Sequence, residues 1–343
     1  VNPDTKKGRV VNSIDGGDVK DDWRYESDYC SPQTFTRSME WLERHYTEDF
    51  FLCIDTWDPH EPWEPPQYYR DMYWPGHDGN QAPPLYSRWQ DVPGVTEEMV
   101  KKAHASYCGE VTMVDTWFGY LMRKVENMGL LKNTAVIFTS DHGYYFGEHG
   151  GLLGKMLMAR DKDGKAKGSI GVWSECPFYE EVTHTPLLMY VPGVSPAVCQ
   201  GLTSAVDLMP TVLEMMGKEI PSLVDGKSIL PMAKDPSVAG RDHVISAHPF
   251  INAGDSLRSV DDNERITEKD STAAVTTDEW ALLFTTDEGM SELYNLKNDP
   301  KQLKNIIKEY PEKANELHQL LLKFMRENNM PEQFINRRLH LNI

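Results

Sequence analysis

The run Ala135-Val136-Ile137-Phe138-Thr139, followed directly by Ser140-Asp141-His142-Gly143, decides how this chain folds. A β-branched apolar run that stops abruptly at Asp-His-Gly predicts a buried strand delivering two ligand-capable side chains to its C-terminal edge, where open α/β sheets place their sites. Aspartate supplies a hard oxygen and histidine a nitrogen, a pair that suits a divalent cation which must also hold an anionic oxygen of a substrate. Gly154-Lys155 follows, and an ammonium there can neutralise the same anion. The ordinary alternative is that Asp141 caps the next turn and His142 is a hydrogen-bonded core histidine.

On the N-terminal side of this strand, Val100, Ala103, Tyr107, Val111, Val114, Phe118, Leu121, Val125 and Met128 recur at spacings of three and four, which predicts one long helix over 96–128 with a single buried face. Gly129 ends it and the strand at 134–141 follows, so a helix leads into a parallel strand, as in βαβ units. Glu110 and Asp115 on that helix could touch the site, but read rather as solvated or capping residues. Further upstream, Thr34, Met39, Trp41 and Leu42 start an amphipathic helix over 33–46, Phe50 to Asp55 reads as a buried strand, and the first 27 residues read as loop. Pro59 to Pro93, rich in proline and aromatics but without a period, reads as a long ordered loop that walls a pocket or covers a sheet edge.

Downstream, Pro186 to Val191 predicts a strand, Asp207 to Met216 a helix and His243 to Ala247 another strand. A charged stretch at 253–271 reads as mobile. Ala273 to Thr286 reads as a hairpin turning at Thr277-Asp278, Ser291 to Leu296 as one more strand, and 310–328 as a closing helix. The fold class is therefore α/β, a mostly parallel central sheet flanked by helices with a small C-terminal antiparallel sheet plus helix. The domains divide as 1–250 and 251–343.

The 343 residues, 40% hydrophobic, can bury a substantial core. A net charge of −18, from 35 basic and 53 acidic residues, argues against a nucleic-acid surface, so an anionic substrate must be caught locally. No stretch approaches the roughly 18–20 apolar residues that span a bilayer, so no membrane partner is expected. Five cysteines without paired spacing form neither a disulfide framework nor a zinc site. Oligomeric state and compartment leave no mark in the sequence.

Five ordered motifs together resemble the sulfatase family of the alkaline phosphatase superfamily, over most of residues 33–325. They are the Phe50 strand ending in Pro59-His60-Glu61-Pro62; the Ser140-Asp141-His142-Gly143 stretch through Gly147-Glu148-His149-Gly150 to Gly154-Lys155; Phe178 to Pro192; Ser204 to Leu213; and Glu292 to Pro300. The resemblance implies an alkaline-phosphatase-like sheet with the small C-terminal sheet and helix. It also implies two paired metal-binding aspartates and a C-x-P-x-R segment, whose cysteine becomes the formylglycine nucleophile. Neither is found in this sequence. Cys30-Ser31-Pro32 imitates the start of the latter, but Thr34 stands where the arginine belongs, and Cys30 reads as the opening of a helix. The 343 residues are accordingly expected to be the C-terminal two-thirds of such an enzyme, with the nucleophile in a segment upstream.

Under this resemblance Asp141 and His142 are two ligands of a divalent metal, expected to be calcium. Lys155 contacts the sulfuryl oxygens and leaving group, and His60 hydrogen-bonds the ester oxygen and protonates the leaving group. These four are expected to converge at one sheet edge. Lys155 could instead be a surface lysine, and His60 could order the proline-rich loop. His149 reads as a supporting residue rather than a catalytic one. Two departures stand out. His184 replaces the arginine of the family's Glu-Glu-x-Thr-Arg-x-Pro pattern, making any contact there pH-dependent, and Ala159 to Gly168 is a basic insert that is either a solvated loop or an overhang of the pocket.

The expected function is metal-assisted hydrolysis of a sulfuric ester on a small molecule or carbohydrate. The same residue set serves a phosphodiesterase or phosphonate monoester hydrolase, and a non-catalytic sugar- or sulfate-binding protein is the third reading. A mutase-type phosphotransferase is disfavoured by the C-terminal signature.

Overall fold

The computed structural model describes residues 25–158, 173–175, 177–247, 272–286 and 291–343. Most of the N-terminal loop, the basic insert at 159–168 and the charged stretch at 253–271 lie outside them. The chain divides into two compact units, Val1–Ala135 with Phe146–Leu153, and Val136–Tyr145 with Gly154–Ile343.

The first unit is built on α1 (Cys30–His45), α2 (Gln67–Tyr73) and α3 (Glu97–Asn127). The long helix is set by its ends. The Thr96 hydroxyl accepts the amide of Met99, Glu97 and Glu98 face the positive end of the helix dipole, and Gly129 takes the left-handed φ of 74° that stops the helix. Its buried face holds Val100, Ala103, Met113, Val114, Leu121 and Val125, the last three packing with Phe35 and Leu42 of α1. Val111, which the spacing placed on that face, is 41% exposed.

Two expectations are corrected in this unit. Residues 50–57 form no strand: Phe51 is 67% exposed and Cys53 is exposed, so one side of the segment packs on the helices while its backbone pairs with no ladder among the described residues. A strand needs a neighbour to satisfy its amides and carbonyls, and an apolar pattern alone does not provide one. The proline-rich stretch, expected as loop throughout, contains α2. Pro66 precedes the helix and its carbonyl accepts the amide of Tyr69, whose ring is buried.

In the second unit, β1 (Val136–Thr139) pairs with β2 (Leu187–Tyr190), Val136 opposite Tyr190 and Thr139 opposite Leu187. This ladder is antiparallel, where the helix-to-strand reading implied a parallel neighbour. The register places the end of β1 beside the start of β2, so the loop at 140–143 lies against the segment leading into Leu187. After α4 (Glu180–Thr183) and α5 (Leu208–Met215), the chain forms the expected C-terminal antiparallel sheet. Its strand order is β6 (Glu292–Asn295), β5 (Trp280–Phe284), β4 (Ala273–Thr276), β3 (Val244–Ala247).

The closing helix α6 (Pro311–Glu327) packs Leu317, Leu321, Leu322 and Met325 against Val275, Leu282, Phe284 and Leu293. Each of these large side chains contributes on the order of 1.5–3 kcal/mol by leaving water. The mixed α/β class, with its small antiparallel sheet and helix at the C-terminus, is thus as the sequence predicts. No helix of the described residues is long and apolar enough to cross a membrane.

Candidate active site

The loop after β1 is fixed by a close backbone approach. The Gly143 amide donates to the Val182 carbonyl at 3.0 Å, and a Cβ on Gly143 would meet the Glu181 carbonyl oxygen at 1.9 Å. Only glycine fits there. The His142 amide donates to Asp141 Oδ1 at 2.8 Å, and His142 Nδ1 contacts the Gly143 carbonyl at 2.9 Å. Since a carbonyl only accepts, the proton is assigned to Nδ1 and the lone pair to Nε2.

That Nε2 faces Asp141 Oδ2 at 3.4 Å. Two lone-pair atoms converging in this way repel each other unless a cation or a proton lies between them, so the pair fits two ligands of a divalent ion. Asp141 is 84% exposed at its side chain, which leaves its oxygens accessible. Among the described residues no group of three or more His, Cys, Asp or Glu side chains could hold a metal. Two such side chains are fewer than the ligands a divalent ion takes from protein in a complete site.

The gripping segment is anchored in turn. The Glu180 amide donates to Gln302 Oε1 at 2.8 Å, and Tyr179 Oη donates to Glu292 at 2.7 Å. Glu292 opens the Glu-Leu-Tyr-Asn-Leu signature, so that late motif reaches the Asp-His loop through α4. His184, which stands where the arginine was expected, pairs with Glu180 at 2.9 Å across one helical turn, and this hydrogen bond raises its pKa above the ordinary histidine value. Lys155 lies in the same unit as Asp141 and His142, immediately after the strand Leu152–Gly154.

His60 belongs to the first unit. It occupies a turn between two cis peptides, Asp58-Pro59 and Glu61-Pro62, with its ring against Trp57 at 4.2 Å between centroids. Nδ1 contacts the Glu61 carbonyl at 2.7 Å, which assigns the proton to Nδ1 and makes Nε2 the nitrogen that takes up or gives a second proton. The buried Asp58 accepts the Ser31 amide at 2.7 Å and ties the turn to α1, while burial raises its pKa. Cys30 is the first residue of α1; burial and the nearby Asp58 and Glu110 push its thiol up to about 11, so it is protonated and a poor nucleophile at neutral pH.

Glu26 of this unit was not singled out by the sequence. Glu26 accepts hydrogen bonds from Tyr68, from Tyr69 at 3.0 Å and from Trp117 at 2.6 Å. Glu110 is 4% exposed and accepts the Glu64 amide at 2.7 Å, so it caps the proline-rich segment rather than meeting solvent. Asp115 is exposed, as expected. The His149 carbonyl, on a left-handed residue with φ 48°, accepts Arg88 Nη1 at 2.7 Å. A cavity of about 450 Å³ opens in the proline-rich segment, walled by Pro62, Pro83 and Pro84, with Tyr29, Glu64, Arg70 and Gln81 as its polar lining. Trp63, one of its lining residues, is 1% exposed.

Comparison with known proteins gives the chain an alkaline-phosphatase-like fold. The chain matches the Sulfatase family over residues 5–218 and N-sulphoglucosamine sulphohydrolase, C-terminal, over 168–329. It belongs to the sulfatase family. An arylsulfatase of Clostridium perfringens is 28% identical over 346 residues, covering 93% of this chain and 63% of that protein. An N-acetylglucosamine-6-O-sulfatase of Bacteroides thetaiotaomicron is 29% identical, covering 66% of this chain and 37% of the relative. The chain thus spans less than two thirds of the length of either. In fold, it superposes on a phosphonate monoester hydrolase from Silicibacter pomeroyi with a TM-score of 0.68, at 21% identity, over 89% of this chain and 61% of the other.

Proposed function

We propose that this chain forms part of a sulfatase that hydrolyses a sulfate ester carried by a sugar, with Asp141 and His142 as metal ligands, Lys155 and His60 as catalytic residues, and calcium as the metal. The observation that carries the reading is the convergence of Asp141 Oδ2 and His142 Nε2 at 3.4 Å, at the end of a strand, in a member of this family. The glucosamine sulfatase among its relatives supports a carbohydrate ester.

The chemistry follows from charge. A sulfate ester carries negative non-bridging oxygens that repel a nucleophile, and its leaving alkoxide needs a proton. A divalent cation, when bound, polarises a non-bridging oxygen as a Lewis acid. Asp141 offers it an anionic oxygen, and the Nδ1–H of His142, held by the Gly143 carbonyl, keeps Nε2 available as its nitrogen ligand. The Lys155 ammonium offsets charge on the sulfuryl oxygens. His60, oriented through Nδ1 by the Glu61 carbonyl, gives the proton on Nε2 to the departing oxygen. Cys30, with Thr34 in place of the arginine of the C-x-P-x-R segment, is not assigned as the nucleophile.

The test uses the full-length protein, 4-nitrophenyl sulfate, N-acetylglucosamine 6-sulfate and phenyl phosphonate esters, with calcium titrated into each variant. Asp141→Asn should lower both calcium affinity and turnover by roughly 100-fold or more, since even outer-shell partners of metal ligands cost about 10–100-fold. Lys155→Ala should lower turnover while leaving calcium affinity within about threefold. Unchanged calcium dependence in Asp141→Asn would remove that residue from the metal site. Faster hydrolysis of the phosphonate ester than of either sulfate would replace the sulfatase reading with a phosphonate monoester hydrolase on the same residues.

A further inference from the structure

The turn that carries His60 buries a second carboxyl group besides that of Asp58. The Glu61 side chain is only 6% exposed, and its Oε2 lies 3.5 Å from Nδ1 of His60. The same nitrogen contacts the Glu61 carbonyl at 2.7 Å, so the backbone and the side chain of one residue face one N–H. At 3.5 Å the carboxylate is beyond ordinary hydrogen-bond length and acts on the ring through its charge.

Burial decides how much that charge counts. An exposed carboxylate is screened by water and salt, whereas a buried one keeps most of its field and is costly to leave uncompensated. A charged imidazole beside it supplies the compensation. The ring is also packed across its face by Trp57, 4.2 Å away between centroids with the planes 34° apart, and it remains 32% exposed. Of the other acids around the turn, Asp58 is held by the Ser31 amide and Glu110 by the Glu64 amide, both at 2.7 Å. These two, with Glu64 and Arg70, are near enough to act on Tyr29.

We propose that Glu61 is a positioning residue for His60: its buried carboxylate holds the Nδ1–H edge of the ring and stabilises the imidazolium that hands its Nε2 proton to the departing ester oxygen. The inference rests on the sulfatase reading, in which His60 is the acid. As an oxygen nucleophile bonds to sulfur, the bond from sulfur to the leaving alcohol breaks and its electron pair stays on the leaving oxygen. That oxygen takes the proton from Nε2, and His60 is left neutral with its remaining proton on Nδ1. Glu61 stays ionised throughout and exchanges no proton, as the orienting carboxylate of a catalytic histidine does.

The experiment takes the full-length protein and two substrates that differ in the leaving oxygen. The 4-nitrophenoxide of 4-nitrophenyl sulfate departs without a proton, whereas the alkoxide of N-acetylglucosamine 6-sulfate requires one. His60→Ala should therefore lower kcat for the sugar sulfate by roughly 100-fold or more, the range of general-acid catalysis, and kcat for the aryl sulfate far less. Glu61→Gln keeps the buried shape and removes the charge. It should show the same selectivity at about tenfold in kcat, with KM for both substrates within about twofold of wild type. In the His60→Ala background, Glu61→Gln should add no selective loss, because residues that act as a unit are not additive. The ratio between the two substrates is unaffected by a general loss of folded protein. If His60→Ala is selective but Glu61→Gln slows both substrates equally, or stays selective without His60, the role of Glu61 is overturned and the sulfatase reading stands. If His60→Ala shows no selectivity, the assignment of His60 as the acid falls, and the role of Glu61 falls with it.

Discussion

At the scale of single residues, the Asp-His pair is legible because its chemistry is local. Adjacent side chains after a strand end must emerge at one edge, and the hydrogen bonds that orient them reach only to their own backbone. Gly143 is legible only after folding, because what excludes a side chain is the Glu181 carbonyl, 38 residues away in sequence. Gly143→Ala forces backbone against Cβ at a distance no real contact tolerates, and neither partner is a flexible side-chain end. We expect a loss of at least about 2–3 kcal/mol, at or above the usual cost of overpacking, together with loss of activity as the loop leaves α4. A melting temperature and turnover both within error of wild type would show that the loop is not held this way. Arg70 and Tyr29 were illegible as cavity-lining residues for a related reason: long-range packing creates that cavity, and neither belongs to a motif.

Among the elements, those with local causes were read correctly. The long helix follows from its apolar spacing, its threonine cap and its terminating glycine, and the hairpin at 273–284 from two apolar runs on either side of the polar turn at Thr277-Asp278. Elements whose existence depends on a partner were not. Residues 50–55 carry a strand's composition but pair with nothing among the described residues, and the direction of β2 relative to β1 is not encoded in either strand alone. The short α2 was hidden by its proline flanks, since seven residues give too little periodicity to detect.

The late Glu-Leu-Tyr-Asn-Leu signature acquires a physical role here, because Glu292 accepts hydrogen bonds from both Tyr179 at 2.7 Å and Tyr294 at 2.6 Å and so connects the C-terminal sheet to the segment that grips Gly143. Hydrogen bonds to a charged acceptor are worth about 1.5–3 kcal/mol. Tyr179→Phe should therefore reduce stability by about that amount and weaken activity secondarily, with kcat falling more than KM rises as the Asp-His loop loosens. If Tyr179→Phe lowers the melting point but leaves kcat untouched, the signature supports the fold without positioning the site.

For the molecule as a whole, the titrating groups give a dependence of stability on pH whose direction can be worked out. His318 is 1% exposed, stacks on Phe284 at 4.9 Å and donates through Nε2 to the Arg338 carbonyl at 2.7 Å; burial lowers its pKa despite that bond. The unfolded chain then binds a proton more readily than the fold does, so this group weakens the protein as pH falls below about 6.5 and continues to do so down to its lowered folded pKa. Asp207 acts in a lower range. Burial alone would raise its pKa, but Arg241 and the amides of Lys227 and Ser204 outweigh it and hold the carboxyl below the usual value. Its stabilisation is present above about pH 4 and is lost as pH falls through the folded value. His184 runs the other way: its raised pKa stabilises below about 6.5 and is lost as pH rises through the folded value, but its side chain is 77% exposed and solvent screens the effect. His318 should therefore dominate between pH 6.5 and 5. The melting temperature should fall across that window in the wild type, and the slope should flatten in His318→Gln, which keeps a donor for Arg338 but does not titrate. An unchanged slope in His318→Gln would place the acid sensitivity elsewhere and detach it from the core of the C-terminal sheet.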